Sequence, residues 1–166
     1  MNLLLLKQIS IISAFMGVVG GTIALIPPFT LIMLLSAFIF PAIIVLVYLK
    51  KNDLIGIINT REGAIFGAII GFVSFIASFV IYAPVSVILA WIVKLISGAF
   101  YIPGFLRLLP FDMGTIIVLL FSVVFLAAIS AIFNGFWGLV TAYVFEIITG
   151  IKKENNENTS IDFEIK

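Results

Sequence analysis

Four long apolar segments dominate the sequence and constrain what it can fold into. Each is at least as long as the roughly 17–25 residues that a transmembrane helix needs. The segments cover about residues 8–26, 29–49, 61–82 and 114–150. Hydrophobic residues make up 63% of the 166 residues and charged residues 10%, whereas soluble domains have about 45–50% apolar and about 25% charged residues. We therefore predict an all-α membrane protein, a four-transmembrane-helix bundle formed by one domain, residues 1–150, in the lipid bilayer.

Prolines and polar residues mark the ends of these segments. Pro27 and Pro28 should end the first span, since proline lacks a backbone N–H and disfavours a helical conformation in the residue before it. Pro41 lies inside the second span, where it is tolerated as a kink if neighbouring groups satisfy the freed carbonyl. Asn59, followed three residues later by Glu62, resembles a capping box and predicts that the third helix begins near Thr60.

Residues 85–97 follow Pro84 and permit two interpretations. The polar residues of this stretch fall on one side of a helical wheel, which favours an amphipathic helix at the membrane interface with Trp91 and Lys94 as headgroup anchors. Alternatively, these residues extend the third span beyond a kink at Pro84. Both interpretations stay open at this point.

The last apolar segment is too long for a single crossing. At 1.5 Å per residue, a helix over 114–150 exceeds roughly 50 Å, whereas the hydrocarbon core is about 30 Å thick. The helix must tilt and protrude, bend near Asn134–Gly135, or split into two pieces. We expect one long helix, because a hairpin at Asn134 leaves only about 15 residues for a fifth span. Residues 151–166 are polar and are predicted to form a disordered cytoplasmic tail.

The distribution of cationic residues predicts the orientation in the cell membrane. In a four-span arrangement, most cations fall on one side, and only Lys94 and Arg107 fall on the other. The cations that share a side are Lys7, Lys50, Lys51, Arg61, Lys152 and Lys153. The positive-inside rule therefore predicts that both termini are cytoplasmic.

Small residues recur at helical spacing in the third segment. Gly63, Gly67 and Gly71 are each four residues apart, which places them on one helix face where a second helix can approach closely in lipid. The last segment contains two lines of small residues that can pack against these glycines. One line is Ala127, Ala131 and Gly135, and the other is Asn134, Gly138 and Ala142. We expect packing within the chain, with self-association of separate chains as the alternative.

Three polar or charged residues are candidates for interactions in or near the membrane. Asn134 lies well inside an apolar segment, where an amide needs hydrogen-bond partners, so we expect it to join helices or to bend one. Lining a substrate path is the alternative role. Glu146 lies near a span end on the same predicted side as Arg61 and the second loop. We expect it to pair with Arg61 or with a Lys of that loop, because an unpaired carboxylate at the edge of lipid is costly.

Several chemistries are excluded by residue type. The chain has no Cys and no His, which removes thiol nucleophiles, disulfides, and histidine-based metal or general-base sites. Its acidic residues stand near helix ends and show no spacing typical of a metal site or an acid/base pair. No basic face exists to follow a nucleic-acid backbone. We therefore expect no enzyme activity, no cofactor, no metal and no nucleic-acid partner.

Two functional classes fit these observations. The first is a non-enzymatic scaffold or accessory subunit that binds itself or another membrane protein. The second is a small transporter or a channel-forming oligomer, including a holin-like one. A water-filled cavity lined by Ser122, Ser130, Asn134 and Thr141 would favour transport, whereas a dry interior would favour the scaffold.

Overall fold

A computed structural model describes residues 3–56, 58–97 and 113–163. Within these residues the chain forms five helices and no strand. The helices are α1 (Leu3–Ile23), α2 (Pro27–Ser36), α3 (Phe40–Lys51), α4 (Thr60–Ser97) and α5 (Met113–Phe163). By length and composition, three of them can cross a membrane, namely α1, α4 and α5. The count is four if α2 and α3 together form one bent span.

The connection between α1 and α2 is as short as the proline pair predicts. α1 ends at Ile23, three turn residues follow, and α2 begins at Pro27. Proline fits the first position of a helix because the N–H that it lacks would have no partner there. The Thr30 hydroxyl donates to the Ala24 carbonyl at 2.7 Å, which ties the start of α2 to the end of α1.

The second apolar segment, expected to be one helix over 29–49 with a kink at Pro41, is broken earlier. α2 ends at Ser36, and α3 begins at Phe40 after a turn, with a bend of 63° between the two helices. Pro41 therefore lies in the first turn of α3 rather than at a mid-helix kink. The proline ring collides with the carbonyl four residues earlier in a continuous helix, and that residue is Ala37, where the turn starts.

α4 runs through Pro84 without interruption. It contains 38 residues, so it is roughly 57 Å long at 1.5 Å per residue. Residues 85–97 thus extend the helix of the third span instead of forming a helix of their own. Pro84 is exposed, so the lost hydrogen bond lies on the outer surface of the helix. The expected location of this extension at the membrane interface stays a prediction.

α5 is continuous past Asn134 and Gly135, as expected for one long helix. It runs for 51 residues to Phe163 and contains no proline. The structure differs from the expected disordered tail over residues 151–163, which continue the helix; residues 164–166 lie outside the described part. No proline interrupts residues 151–163, and the Glu and Lys residues among them are good helix formers.

α4 occupies the centre of the arrangement. It packs most extensively against α5 and next against α1, while α3 packs on both α4 and α5. The main hydrophobic core lies where α1, α3, α4 and α5 meet the connection between α3 and α4. Its buried residues are Ile9, Val45, Leu46, Leu49, Ile55, Ile58, Phe66, Ile70 and Ala142.

The start of α4 confirms the predicted capping box. The Glu62 backbone N–H donates to the Asn59 side-chain oxygen at 2.9 Å, and the Asn59 N–H donates to the Glu62 carboxylate at 3.3 Å. These bonds satisfy donors that a helix start leaves without intrahelical partners. The cap fixes the first turn of α4 at the end where Gly63 meets α5.

Candidate functional site

The glycine stripe of α4 lies against α5 at backbone distance. A methyl group placed on Gly71 would come within 2.5 Å of the Asn134 Cβ and 2.7 Å of the Ser130 carbonyl oxygen. A methyl group on Gly67 would collide with the Asn134 carbonyl, and one on Gly63 with Gly138 and Ala142. We call the contact of Gly63, Gly67 and Gly71 with Ser130, Asn134, Gly138 and Ala142 the glycine seam.

Of the two lines of small residues on α5, the seam uses the one that contains Asn134. The other line, Ala127, Ala131 and Gly135, lies beside it. Gly135 faces Ala64 and Ala68, and a methyl group placed on Gly135 would lie 3.3 Å from the Ala64 carbonyl oxygen. Ala127 is fully buried, and Ala131 is half-buried. The two lines differ by one residue, which is about 100° around a helix.

The small-residue stripe of α4 continues beyond Gly71 with Ser74 and Ser78, and this part of it packs on α1. Gly17 and Gly21 of α1 lie against Ser74, Ala77 and Ser78. A methyl group on Gly21 would come within 2.5 Å of the Ser78 carbonyl oxygen. The same stripe therefore packs closely on α5 along its first part and on α1 along its next part, as small residues permit between helices in lipid.

Asn134 connects the seam to the broken second segment. Its side chain is fully buried. The side-chain oxygen accepts a hydrogen bond from the Ala42 backbone N–H at 3.0 Å. The side-chain nitrogen donates to the Ala37 carbonyl at 2.9 Å and to the Ser130 carbonyl at 3.0 Å. An N–H donor on one side and a carbonyl acceptor on the other fix which way the amide points.

Ser130 adds further hydrogen bonds at the break between α2 and α3. Its hydroxyl lies 3.2 Å from the Ala37 carbonyl oxygen and 3.1 Å from the Gly71 carbonyl oxygen. One hydroxyl has one proton, so the two carbonyls share it or receive it in turn. Its oxygen also lies 3.2 Å from the Asn134 amide nitrogen. We call Asn134, Ser130 and the Ala37 and Ala42 backbone groups the amide clasp.

The amide clasp replaces the hydrogen bond to the Ala37 carbonyl that Pro41 cannot make. In a continuous helix the Ala37 carbonyl would accept a hydrogen bond from residue 41, but proline has no N–H to donate. Ala42 is the third residue of α3, so its N–H is one of the donors that a helix start leaves free. An unsatisfied backbone group in hydrocarbon is costly. The primary amide of Asn134 carries both a donor and an acceptor, so a single side chain satisfies both broken ends.

Ser122 and Thr141, the other two polar residues considered as cavity lining, bond within their own helix. The Ser122 hydroxyl donates to the Val118 carbonyl, and the Thr141 hydroxyl to the Trp137 carbonyl, each at 2.8 Å. Ser122 is exposed, whereas Ser130 and Asn134 have no accessible surface. These four residues therefore do not line a common cavity.

The expected ion pair between Arg61 and Glu146 does not form in the structure. In the part of the chain that the structure describes, both side chains are exposed and make no ion pair with each other. Ion pairs between exposed side chains contribute little to stability, so the fold does not depend on this pair. Among the described residues, no group of three or more acidic side chains is placed to hold a metal ion.

The chain matches no protein-family model, no curated protein and no solved structure. The class is therefore defined by the fold alone. The part of the chain that the structure describes is all-helical, and three of its helices are long and apolar enough to cross a membrane. Its most distinctive feature is an interior amide that bonds both ends of a broken helix.

Proposed function

We propose that this chain is a four-span protein of the cell membrane that acts as a non-enzymatic scaffold or accessory subunit. The spans are α1, the bent pair of α2 and α3, α4 and α5. With this count, Lys7, Lys50, Lys51 and Arg61 share one side of the membrane with the C-terminal end of α5. The positive-inside rule then supports cytoplasmic termini.

The amide clasp is the observation that carries the scaffold proposal. Asn134 and Ser130 are the most deeply buried polar side chains of α5, and both are bonded within the chain. A transport path needs polar groups that water or a substrate can reach, and neither residue has accessible surface. The interior is thus organised for packing, while large apolar side chains cover the outside.

The four-span count can be tested because the chain contains no cysteine. Single variants Pro28→Cys and Asp53→Cys are made, and intact cells are treated with a membrane-impermeant maleimide. Four spans predict labelling at position 28 and protection at position 53 until the cells are opened. If α2 and α3 instead re-enter on one side, positions 28 and 53 behave alike.

A scaffold predicts a specific partner on the exposed face of α5. A photoreactive amino acid at Phe125, which is 59% exposed, should give a discrete protein adduct in cells, whereas one at the fully buried Ala127 should not. The adduct is a second copy of the chain or another membrane protein. Illumination that gives only lipid adducts at Phe125 would count against the scaffold.

The second candidate function is transport, and the broken span favours it. Many transporters place discontinuous helices near the bilayer midplane, where they bind substrate. Purified protein in vesicles should release neither a small fluorescent dye nor potassium above the protein-free rate if the scaffold proposal holds. Protein-dependent release that Asn134→Ala alters would favour the transporter or channel instead.

A further inference from the structure

A cavity of about 360 Å³ lies beside the broken helix and reaches Ser74 and Ser78 of α4. We call it the lateral cavity. Its walls come from α1, α2, α3 and α4, and include Gly20, Met33, Ile44 and Ser78. Pockets that take small ligands have roughly this volume, with a mainly apolar lining. The cavity is therefore large enough to hold a ligand, and it is larger than a packing defect of one or two atoms.

The lining of the cavity offers almost nothing to a polar ligand. None of its residues is charged. The Ser36 hydroxyl already donates to the Met33 carbonyl at 2.9 Å, and the Ser74 hydroxyl to the Gly71 carbonyl at 3.3 Å. Of the three hydroxyls in the lining, that of Ser78 alone makes no hydrogen bond among the described residues. Water enters a cavity when several polar partners are available, and apolar cavities stay dry. The occupant that fits this lining is hydrocarbon.

The cavity is continuous with the outer apolar surface of the helices. Four of its lining residues are also exposed: Val19 (39%), Ile32 (56%), Phe40 (51%) and Ile44 (44%). In a membrane-embedded chain this surface contacts lipid hydrocarbon. A chain from the surrounding bilayer can therefore reach the cavity sideways, without crossing any polar layer.

α2 keeps the cavity open because it packs weakly. Its main helix contact is with α1, and a smaller cavity of about 70 Å³ separates Met33 and Leu34 from Phe75 and Phe79 of α4. On α1, Gly17 and Gly21 lie against α4, but a methyl group on Gly20 would meet nothing within 4 Å. The bend at the amide clasp thus holds α2 away from the side of α1 that carries Gly20.

We propose that the lateral cavity binds an acyl chain of a membrane phospholipid. This inference rests on the membrane placement proposed above. An unfilled cavity of this size forfeits dispersion contacts all along its walls, and a flexible acyl chain restores them without needing a hydrogen bond. The weakly packed α2 is the wall that adjusts to the chain.

The test uses the full-length protein in vesicles of phosphatidylcholine that carries a diazirine within one acyl chain. After illumination, mass spectrometry compares labelling of the cavity residues with labelling of the exposed α5 face around Phe121 and Phe125. We expect stronger labelling at Met33 and Ile44 than on that α5 face. Gly20→Leu should lower the cavity labelling by roughly fivefold, because the side chain occupies the space that the acyl chain fills. Labelling of α5 should not change.

Two further variants keep the result interpretable. Ala128→Leu places the same side chain at an exposed position of α5 and should leave the cavity labelling unchanged. Gly20→Met repeats the test with a more flexible side chain if Gly20→Leu is poorly folded. Equal labelling on all exposed helices, or cavity labelling that survives both Gly20 variants, would overturn the proposal. Absence of label on α5 as well would instead show that the membrane placement itself is wrong.

Discussion

The glycine seam between α4 and α5 and the lateral cavity between α1 and α2 both contain glycines, but these glycines have opposite surroundings. At Gly67 the facing helix leaves no room for one methyl group, whereas at Gly20 the space is open. The seam also holds buried polar groups that are all bonded, while the cavity is apolar. A glycine in an apolar helix therefore indicates a close helix contact only where a second backbone comes near.

The largest expected effect comes from filling the seam. Gly67→Leu forces α4 away from the Asn134 carbonyl, and we expect the free energy of unfolding to fall by roughly 3 kcal/mol or more, at the upper end of overpacking effects. Denaturation by SDS in mixed micelles measures it. Gly20→Leu is the matched control and should stay within about 1 kcal/mol of the unmodified protein, since its side chain enters open space.

A different outcome would reverse the interpretation of the seam. If Gly67→Leu folds normally as a monomer and loses only an oligomer, the glycine stripe is a surface between separate chains. Size-exclusion chromatography with light scattering distinguishes these results.

Removing the amide clasp should have the next largest effect. Asn134→Ala leaves the Ala42 N–H without its acceptor and weakens the bonding at the Ala37 carbonyl. We expect a loss of roughly 1–3 kcal/mol, the usual cost of leaving buried polar groups unpaired. Ser122→Ala is the control, because that hydroxyl bonds only its own helix.

A second substitution sharpens this prediction. Pro41→Ala restores a backbone N–H at position 41, so the second span can close into a continuous helix. In the Asn134→Ala background this change should recover much of the lost stability, whereas with Asn134 present it should gain less. Equal effects in both backgrounds would show that the amide does not replace the missing N–H of Pro41.

Ser130→Ala should cost less than Asn134→Ala. Asn134 still donates to the Ala37 carbonyl in this variant, so that carbonyl keeps a partner. We expect a loss of about 0.5–1.5 kcal/mol, the net contribution of a typical hydrogen bond. The same SDS denaturation reports it, and a loss equal to that of Asn134→Ala would mean that the two side chains act only as a unit.

The smallest effects are expected at the charged end of the seam. Arg61 and Glu146 are exposed, so Arg61→Gln and Glu146→Gln should each change stability by no more than about 0.5 kcal/mol. The charge swap tests for a pair directly. Two results together would show that the ion pair expected from the sequence does form. They are a strong loss of stability in both single variants and a recovery of stability when Arg61→Glu is combined with Glu146→Arg.

Segment length and local spacing predicted much of the fold. Apolar runs of sufficient length predict α1, α4 and α5, and the spacing of Asn59 and Glu62 predicts where α4 begins. These are local signals, because they depend on residues within one or two helical turns. The break between α2 and α3 is less local: Pro41 signals a free carbonyl, but it does not show how far the chain will bend.

Long-range pairing could not be derived in the same way. Two lines of small residues on α5 are equally compatible with a glycine stripe, and only contact with a third element distinguishes them. The Asn134 side chain bonds the broken span, so the line of α5 that contains Asn134 faces α3 and α4. The signal available in the sequence was a single buried amide together with a single proline in a neighbouring span.

The amide clasp has a consequence for how the protein is made. Asn134 follows Ala42 by 92 residues and Ala37 by 97, so a ribosome completes the second span long before the residue that bonds its broken ends emerges. Until α5 enters the bilayer, the bend has no partner for the Ala37 carbonyl. We therefore expect the second span to stay near the water interface during synthesis, where water can bond the Ala37 carbonyl, and to reach its final position only when the last helix arrives.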